Sequence, residues 1–273
     1  MLREAFYWRG EVKLNYVEGP DNGPAFLLLP AYDNRWQSYS SIIPSLAKET
    51  HLYALDTRGR GASDHTPDEY QLKHCIDDAV GFIEEVICEP CHVFGHSLGG
   101  WIGLWLAASR PDLVSSLIVG DSSLDVDEFI EAGRSMEERE FNKRFMDWAG
   151  KPVEELEEIF TIRYPDRSME YIETRALTFS QVDPEIYRDW VDGRLDKFFD
   201  GYDAEEILGS LECPVLVLRA EDGLIDWEEI LWARELNDGL MVKELDGFDH
   251  WLGIQDGRMQ VVIKEIMGFL YSF

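Results

Sequence analysis

One short segment, CHVFGHSLGGW at residues 91–101, constrains the fold more than any other part of the chain. The apolar run at its start is typical of a buried strand, and the apolar residues from Ile102 onward suit a helix. Glycines stand two positions before and two positions after Ser97, where a sharp strand-to-helix turn leaves no room for a Cβ atom. The pattern predicts an exposed Ser97 at this turn, with the backbone N–H of Leu98 aimed at the place where an oxyanion would form.

Short apolar runs and amphipathic helical segments alternate on both sides of this turn, which predicts an α/β fold with a mostly parallel central sheet and helices on both faces. The predicted buried strands are 26–29, 51–56, 93–94, 117–119, 215–219 and 240–245. Residues 124–208 contain no such run and are rich in acidic and aromatic side chains. We therefore expect a core domain made of residues 1–123 and 209–273, with residues 124–208 inserted as a helical cap.

Composition narrows the possible partners. The chain has 54 acidic and 25 basic residues, a net charge of −29, which disfavours nucleic acid and anionic membranes. No segment reaches the ~18 apolar residues of a membrane span. Four cysteines are too few for a disulfide scaffold. Cys88 and Cys91 have the C-x-x-C spacing of redox or metal sites, but there is no second such pair and Cys91 leads directly into a predicted strand, so we expect reduced, packed thiols. We expect a cytoplasmic protein that acts on a small molecule, without a metal site or another cofactor.

A nucleophilic serine needs a histidine base and an acid that orients the base. Among six histidines, His250 follows the last predicted strand on a glycine-containing loop at the carboxyl edge of the sheet, so it is the predicted base. For the acid, the sequence favours Asp222, because it follows the preceding predicted strand and gives the chain order Ser97, Asp222, His250. Other carboxylates remain open as the acid, namely Asp121, which closes the strand after the elbow strand, and Asp226 or Glu221.

The surroundings of Ser97 can also be predicted. The oxyanion hole should combine the N–H of Leu98 with the backbone N–H of Tyr32, which lies just beyond the predicted strand 26–29. Trp36, Trp101 and Trp251 are candidate pocket walls in the core domain. We expect cap aromatics to roof this pocket, which predicts a largely apolar substrate.

Together these motifs make the chain resemble the α/β-hydrolase superfamily, and the resemblance covers nearly the whole length. DTRGRGASD at 56–64, GHSLGG at 95–100 and DGFDH at 246–250 resemble the family's recurring loop, nucleophile elbow and histidine loop. The resemblance implies a cofactor-free serine hydrolase that cleaves an ester, lactone or similar acyl bond through an acyl-enzyme. A carbon–carbon hydrolase or lyase, and a slow-turnover small-molecule receptor, remain alternatives. Two segments depart from the pattern: Pro30-Ala31 replaces the frequent His-Gly, and AEDGLID shifts the acid position.

Overall fold

The computed structural model describes residues 1–254 and 258–272, and its strands form one eight-stranded sheet. The strands are β1 (Arg3–Arg9), β2 (Val12–Glu18), β3 (Ala25–Leu29), β4 (His51–Leu55), β5 (Cys91–His96), β6 (Val114–Gly120), β7 (Val215–Asp222) and β8 (Met241–Asp249). Their order across the sheet is β1-β2-β4-β3-β5-β6-β7-β8. β1 pairs antiparallel with β2, β2 pairs antiparallel with β4, and every other neighbouring pair is parallel.

Helices connect the parallel strands. They are α1 (Ile43–Leu46), α2 (Leu72–Phe82), α3 (Leu98–Ser109), α4 (Val126–Gly133), α5 (Met136–Trp148), α6 (Val153–Arg163), α7 (Met169–Ser180), α8 (Arg188–Val191), α9 (Leu195–Phe198), α10 (Ala204–Ser210), α11 (Trp227–Leu236) and α12 (Met259–Leu270). Turns of 3₁₀ helix span Trp36–Tyr39 and Pro184–Tyr187, and a π-helical turn, Ile83–Ile87, continues α2.

Each face of the sheet is covered by its own apolar cluster, because successive strand side chains point to opposite faces. On β3, Leu27 and Leu29 pack with residues of α2, α3, α10 and α11. Phe26 and Leu28 pack on the other face with residues of α1 and α12. The predicted α/β fold with a mostly parallel, doubly covered sheet is confirmed.

The spacing of Trp36, Tyr39, Ile43 and Leu46 in the sequence predicts one helix over 36–48, and this prediction is wrong. The structure has the 3₁₀ turn Trp36–Tyr39, a bend, and the single turn α1, which carries Pro44 within its first two positions. Proline has no N–H and fits only the first turn of a helix, so a long helix cannot pass through it.

The region between β6 and β7 is entirely helical in its regular structure, from α4 to α10. It has its own small core of Leu156, Phe160, Ile172, Ala176 and Phe179, which joins α6 to α7. The expected cap boundary at residue 208 falls inside α10, a helix that packs against α3 and α11 of the core. The division into core and cap stays a prediction.

Within residues 1–254 and 258–272, no helix combines the length and the apolar character that crossing a bilayer requires. The four cysteines are unpaired. Burial raises the pKa of Cys75 to about 11 and that of Cys91 to about 12, so both thiols stay protonated near neutral pH. Cys88, by contrast, is exposed after the π-helical turn, so the prediction of packed thiols is wrong for this residue.

Phe82 gives a test of how the first strands are held to α2. Its buried ring meets the rings of Tyr7, Tyr16 and Tyr53 edge-on, with centroids 5.7, 4.9 and 6.0 Å away. We expect Phe82→Ala to lower the free energy of unfolding by about 3–5 kcal/mol in urea titrations, because it leaves a cavity between three strands. The matched control is Phe6→Ala on a half-exposed ring, which should change stability by only about 0.5 kcal/mol. Equal losses of unfolding free energy in the two variants would show that the ring of Phe82 does not hold the first strands to α2.

Candidate active site

Ser97 lies at the sharp turn between β5 and α3, as its sequence context predicts. Its backbone has φ +52° and ψ −114°, a conformation that few non-glycine residues adopt. A Cβ at Gly95 would lie 2.0 Å from the carbonyl oxygen of Gly99, and a Cβ at Gly99 would lie 2.0 Å from that of Leu29. Both glycines are therefore required by close backbone packing around the serine.

His250 stands between Ser97 and Asp121. Its Nε2 lies 3.1 Å from Ser97 Oγ, and its Nδ1 lies 2.8 Å from Asp121 Oδ2. A carboxylate accepts hydrogen bonds, so Nδ1 carries the proton and donates it to Asp121. Nε2 is then free to accept the serine proton, which is the arrangement of a nucleophile, a base and an orienting acid.

Asp121 is fully buried just after β6, and neighbouring backbone groups fix its carboxylate. Oδ1 accepts the N–H of Ala220 at 3.1 Å, and Oδ2 accepts the N–H of Leu224 at 2.9 Å. Gly223 leaves the space for this carboxylate, because a Cβ there would lie 2.2 Å from Asp121 Oδ1. The backbone at Asp121 has φ +45°, which turns the chain out of the strand.

The structure corrects the expectation that Asp222 lies beside His250. β7 runs on past a register shift after Ala220, and Asp222 ends it as an exposed residue opposite Asp249 of β8. The other open candidates are engaged elsewhere: Glu221 accepts the N–H of Gly247 at 2.7 Å, and Asp226 caps the N-terminus of α11. The displaced acid spacing in AEDGLID is the sequence signal that pointed to Asp121.

His96, next to the serine, was not predicted to belong to the site, yet its hydrogen bonds connect the segments that carry His250, Tyr39 and Ala31. Its Nε2 donates to the backbone carbonyl of His250 at 2.7 Å, and its Nδ1 accepts the hydroxyl of Tyr39 at 2.8 Å. That hydroxyl in turn accepts the N–H of Ala31 at 3.1 Å. Burial, with the nearby His250 adding to it, lowers the pKa of His96 to about 3, so the ring is neutral and this set of hydrogen bonds is retained near neutral pH.

The two predicted oxyanion donors lie around Ser97. Leu98 is the first residue of α3, where a helix N–H has no partner within its own helix. Tyr32 lies after β3 and lines the same cavity as Ser97. Its carbonyl accepts Arg60 Nε at 2.7 Å, and its hydroxyl donates to the carbonyl of Ile186, in the helical region between β6 and β7. Both contacts fix the backbone next to the Tyr32 N–H.

A cavity of about 420 Å³ opens over Ser97 and His250, and aromatic side chains form much of its wall. Trp101 and Trp251 line it, as predicted from the sequence. Trp36 does not: its indole Nε1 donates to Glu4 at 3.0 Å, so the prediction that it forms a pocket wall is wrong. Among the aromatic residues of the segment 124–208, Phe129, Phe141, Phe145, Tyr187 and Trp190 line the cavity. Lining side chains that the sequence did not single out include Asp33, Glu138, Asn142 and Leu224.

Asp56 and Arg58, in the loop that carried the resemblance, support the fold rather than the cavity. Arg58 forms two 2.7 Å hydrogen bonds with Asp78, and Asp56 accepts the N–H of Trp36 at 2.6 Å. In the described part of the chain, no group of three or more histidine, cysteine or carboxylate side chains is arranged to hold a metal ion.

Comparison with known proteins shows the family to which the chain belongs. Residues 26–256 match the model of the alpha/beta hydrolase family. The chain belongs to this family. Within the family, it is 23% identical over 265 residues to 2-(acetamidomethylene)succinate hydrolase of Mesorhizobium japonicum, covering 96% of this chain and 92% of that protein. The solved structure of E-2-(acetamidomethylene)succinate hydrolase superimposes with a TM-score of 0.78 at 21% identity, over 99% of both chains, and shows the shared fold.

A second alpha/beta hydrolase relative matches over a shorter stretch. The mouse sn-1-specific diacylglycerol lipase ABHD11 is 30% identical over 111 residues, which is 40% of this chain and 36% of that protein. The chain thus matches about a third of the length of this relative.

His96 of this family member gives a prediction on pH. Its folded pKa is lowered to about 3, whereas a histidine in the unfolded chain titrates near 6.5, so the unfolded state binds the extra proton between these values. The stability that the neutral ring contributes is complete above about pH 6.5 and is lost as the pH falls towards 3. We expect the difference in unfolding free energy between the native protein and His96→Asn to shrink by about 1.4 kcal/mol per pH unit between pH 6 and 4. A difference that is constant with pH would show that His96 is protonated in the fold.

Proposed function

We propose that this protein is a serine hydrolase that cleaves an ester, lactone or similar acyl bond of a largely apolar small molecule. The observation that carries the proposal is the continuous line of hydrogen bonds from Asp121 through His250 to Ser97, with distances of 2.8 and 3.1 Å. Its nucleophile stands at the N-terminus of α3, on a turn that the surrounding glycines make possible.

The proposed reaction uses only groups of the protein and water. Ser97 Oγ attacks the substrate carbonyl while His250 Nε2 takes the hydroxyl proton, and Asp121 stabilises the resulting imidazolium. The N–H groups of Leu98 and Tyr32 hold the oxyanion. The tetrahedral intermediate collapses, the leaving group departs with the proton from His250, and a water molecule activated by His250 then releases the acid from Ser97.

The wall of the cavity supports a mostly apolar substrate. Phe129, Phe141, Phe145, Tyr187 and Trp190 line it from the cap, whereas other cap aromatics, such as Phe160 and Phe179, pack against one another. The buried hydroxyl of Tyr187 has no hydrogen-bond partner among the described residues.

The relative from Mesorhizobium japonicum is named for a substrate that carries the two carboxylates of a succinate. The cavity of this chain does not suit such a charge. No lysine or arginine lies on the described lining of the cavity. We therefore propose that the chain shares hydrolysis with this relative and not the dianionic substrate. A cytoplasmic location also remains a prediction.

The role of Ser97 is tested by turnover and by covalent labelling. With p-nitrophenyl esters of increasing acyl length, we expect Ser97→Ala to lower kcat by about 10⁶-fold, because the nucleophile is lost. A fluorophosphonate should add one adduct to the native protein, located at Ser97 by mass spectrometry. Ser109→Ala, which removes an exposed hydroxyl from the end of α3, is the matched control and should change neither result. Undiminished turnover by Ser97→Ala would sink the proposal.

The acid is tested by a pair of equivalent substitutions. Asp121→Asn should lower kcat by about 10⁴-fold, because an amide at this position no longer stabilises the protonated base. Asp222→Asn removes the same charge from an exposed position at the end of β7 and should leave kcat close to the native value. The reverse ranking in steady-state assays on one ester would restore Asp222 as the acid.

A further inference from the structure

The cavity wall contains a carboxylate that the proposed reaction does not use. Asp33 lies in the loop after β3, only 8% of its surface is exposed, and it lines the cavity with Ser97 and His250. Its Oδ2 lies 3.1 Å from Arg175 Nη2, on helix α7 of the cap. Core and cap thus meet at this ion pair beside the reacting groups.

Arg175 is held behind the wall rather than in it. The centre of its guanidinium lies 4.4 Å from the ring centroid of Phe179 and 5.1 Å from that of Trp251. It is buried and does not line the cavity over Ser97. Its contact with Asp33 joins one nitrogen to one oxygen, and the guanidinium lies outside the cavity, so at this point the wall presents the Asp33 carboxylate and not a cation.

The remaining charge on the wall has the same sign as Asp33. Glu138, in the first turn of α5, is partly exposed and forms no ion pair among the described residues. A carboxylate that enters this cavity would lose water, meet Asp33 and Glu138, and find no unoccupied cation on the described lining. An uncharged acyl compound would avoid these costs.

We infer that Asp33 is a specificity-determining residue: its carboxylate in the cavity wall makes the site select uncharged acyl compounds and reject those that carry a carboxylate. This inference rests on the proposed serine-hydrolase function and names its substrate class. The selectivity would then come from repulsion by the carboxylates of the wall and from the lack of a cation on the described lining, which is discrimination against the wrong ligand.

A pair of esters tests the inference, because p-nitrophenyl butyrate and mono-p-nitrophenyl succinate differ mainly in a terminal methyl or carboxylate. For the native protein we expect kcat/KM for the succinate ester to be at least about tenfold lower than for the butyrate ester. A tenfold factor corresponds to a difference in free energy of about 1.4 kcal/mol. Asp33→Asn keeps the shape of the side chain and removes its charge, so it should raise the succinate-to-butyrate ratio at least about tenfold.

Two further variants complete the design. Glu138→Gln, at a partly exposed position on the cavity wall, should raise the same ratio by a smaller factor. It keeps the inference testable if Asp33→Asn, which leaves the buried Arg175 without its partner, does not fold. Glu154→Gln removes one charge from the exposed face of α6, away from the cavity, and should leave the ratio unchanged, which accounts for net charge. The ratio can also be measured as labelling rates of an alkyl fluorophosphonate and its ω-carboxylate analogue, which need no turnover.

The outcomes separate the two claims. Equal reactivity of the native protein towards both members of a pair, or a ratio that neither Asp33→Asn nor Glu138→Gln raises, would overturn the inference while labelling at Ser97 keeps the hydrolase assignment. Absence of both hydrolysis and labelling at Ser97 would remove the hydrolase assignment, and the inference with it.

Discussion

The buried carboxylate of Asp121 is the contact on which the candidate site depends. It accepts hydrogen bonds from Ala220 at the end of β7, from Leu224 in the following loop, and from the ring of His250. A carboxylate without solvent is costly unless such donors replace water. The same bonds therefore stabilise the charge and fix the position of the base relative to the serine.

A second, uncharged set of hydrogen bonds holds the other side of the base. The neutral ring of His96 links the carbonyl of His250 to Tyr39, and Tyr39 links onward to Ala31, the residue before the proposed oxyanion donor Tyr32. His250 is thus held through its ring by a hydrogen bond to the Asp121 carboxylate and through its backbone carbonyl by a hydrogen bond from a neutral ring. Because burial keeps the pKa of His96 far below its usual range, protonation of the base need not disturb this support.

Polar contacts also join the helical region between β6 and β7 to the rest of the chain around the cavity. At its start, Glu229 of α11 accepts the backbone N–H groups of Leu124 and Asp125, and burial raises the pKa of this carboxyl to about 7. Further along, Tyr70 of the core donates to Asp183 at 2.5 Å. With the pair between Asp33 and Arg175, these contacts join this helical region to the rest of the chain through specific polar partners as well as apolar packing.

Local patterns were sufficient to predict the parallel sheet, the turn at Ser97 and the loop that carries His250. Short apolar runs, glycine spacing and a histidine after the last strand each report on a few neighbouring residues, and the sheet brings the ends of its strands to one edge. The acid could not be settled in this way. Asp121 and Asp222 both follow strands near that edge, and the choice between them depends on how far β7 continues and on the register shift after Ala220. Those features arise from the pairing of β7 with β8, not from either aspartate's neighbours.

The same distinction applies to the walls of the cavity. The sequence by itself determined that a serine would stand at a strand-to-helix turn, because the glycines on both sides of it allow the close backbone packing that such a turn requires. Only the tertiary structure decided that Trp36 packs away from that serine, that His96 supports the base, and that Asp33 pairs with Arg175 from 142 residues further along the chain. Contacts between residues so distant in sequence depend on how the helical region between β6 and β7 packs on the rest of the chain, and no local sequence pattern predicts them.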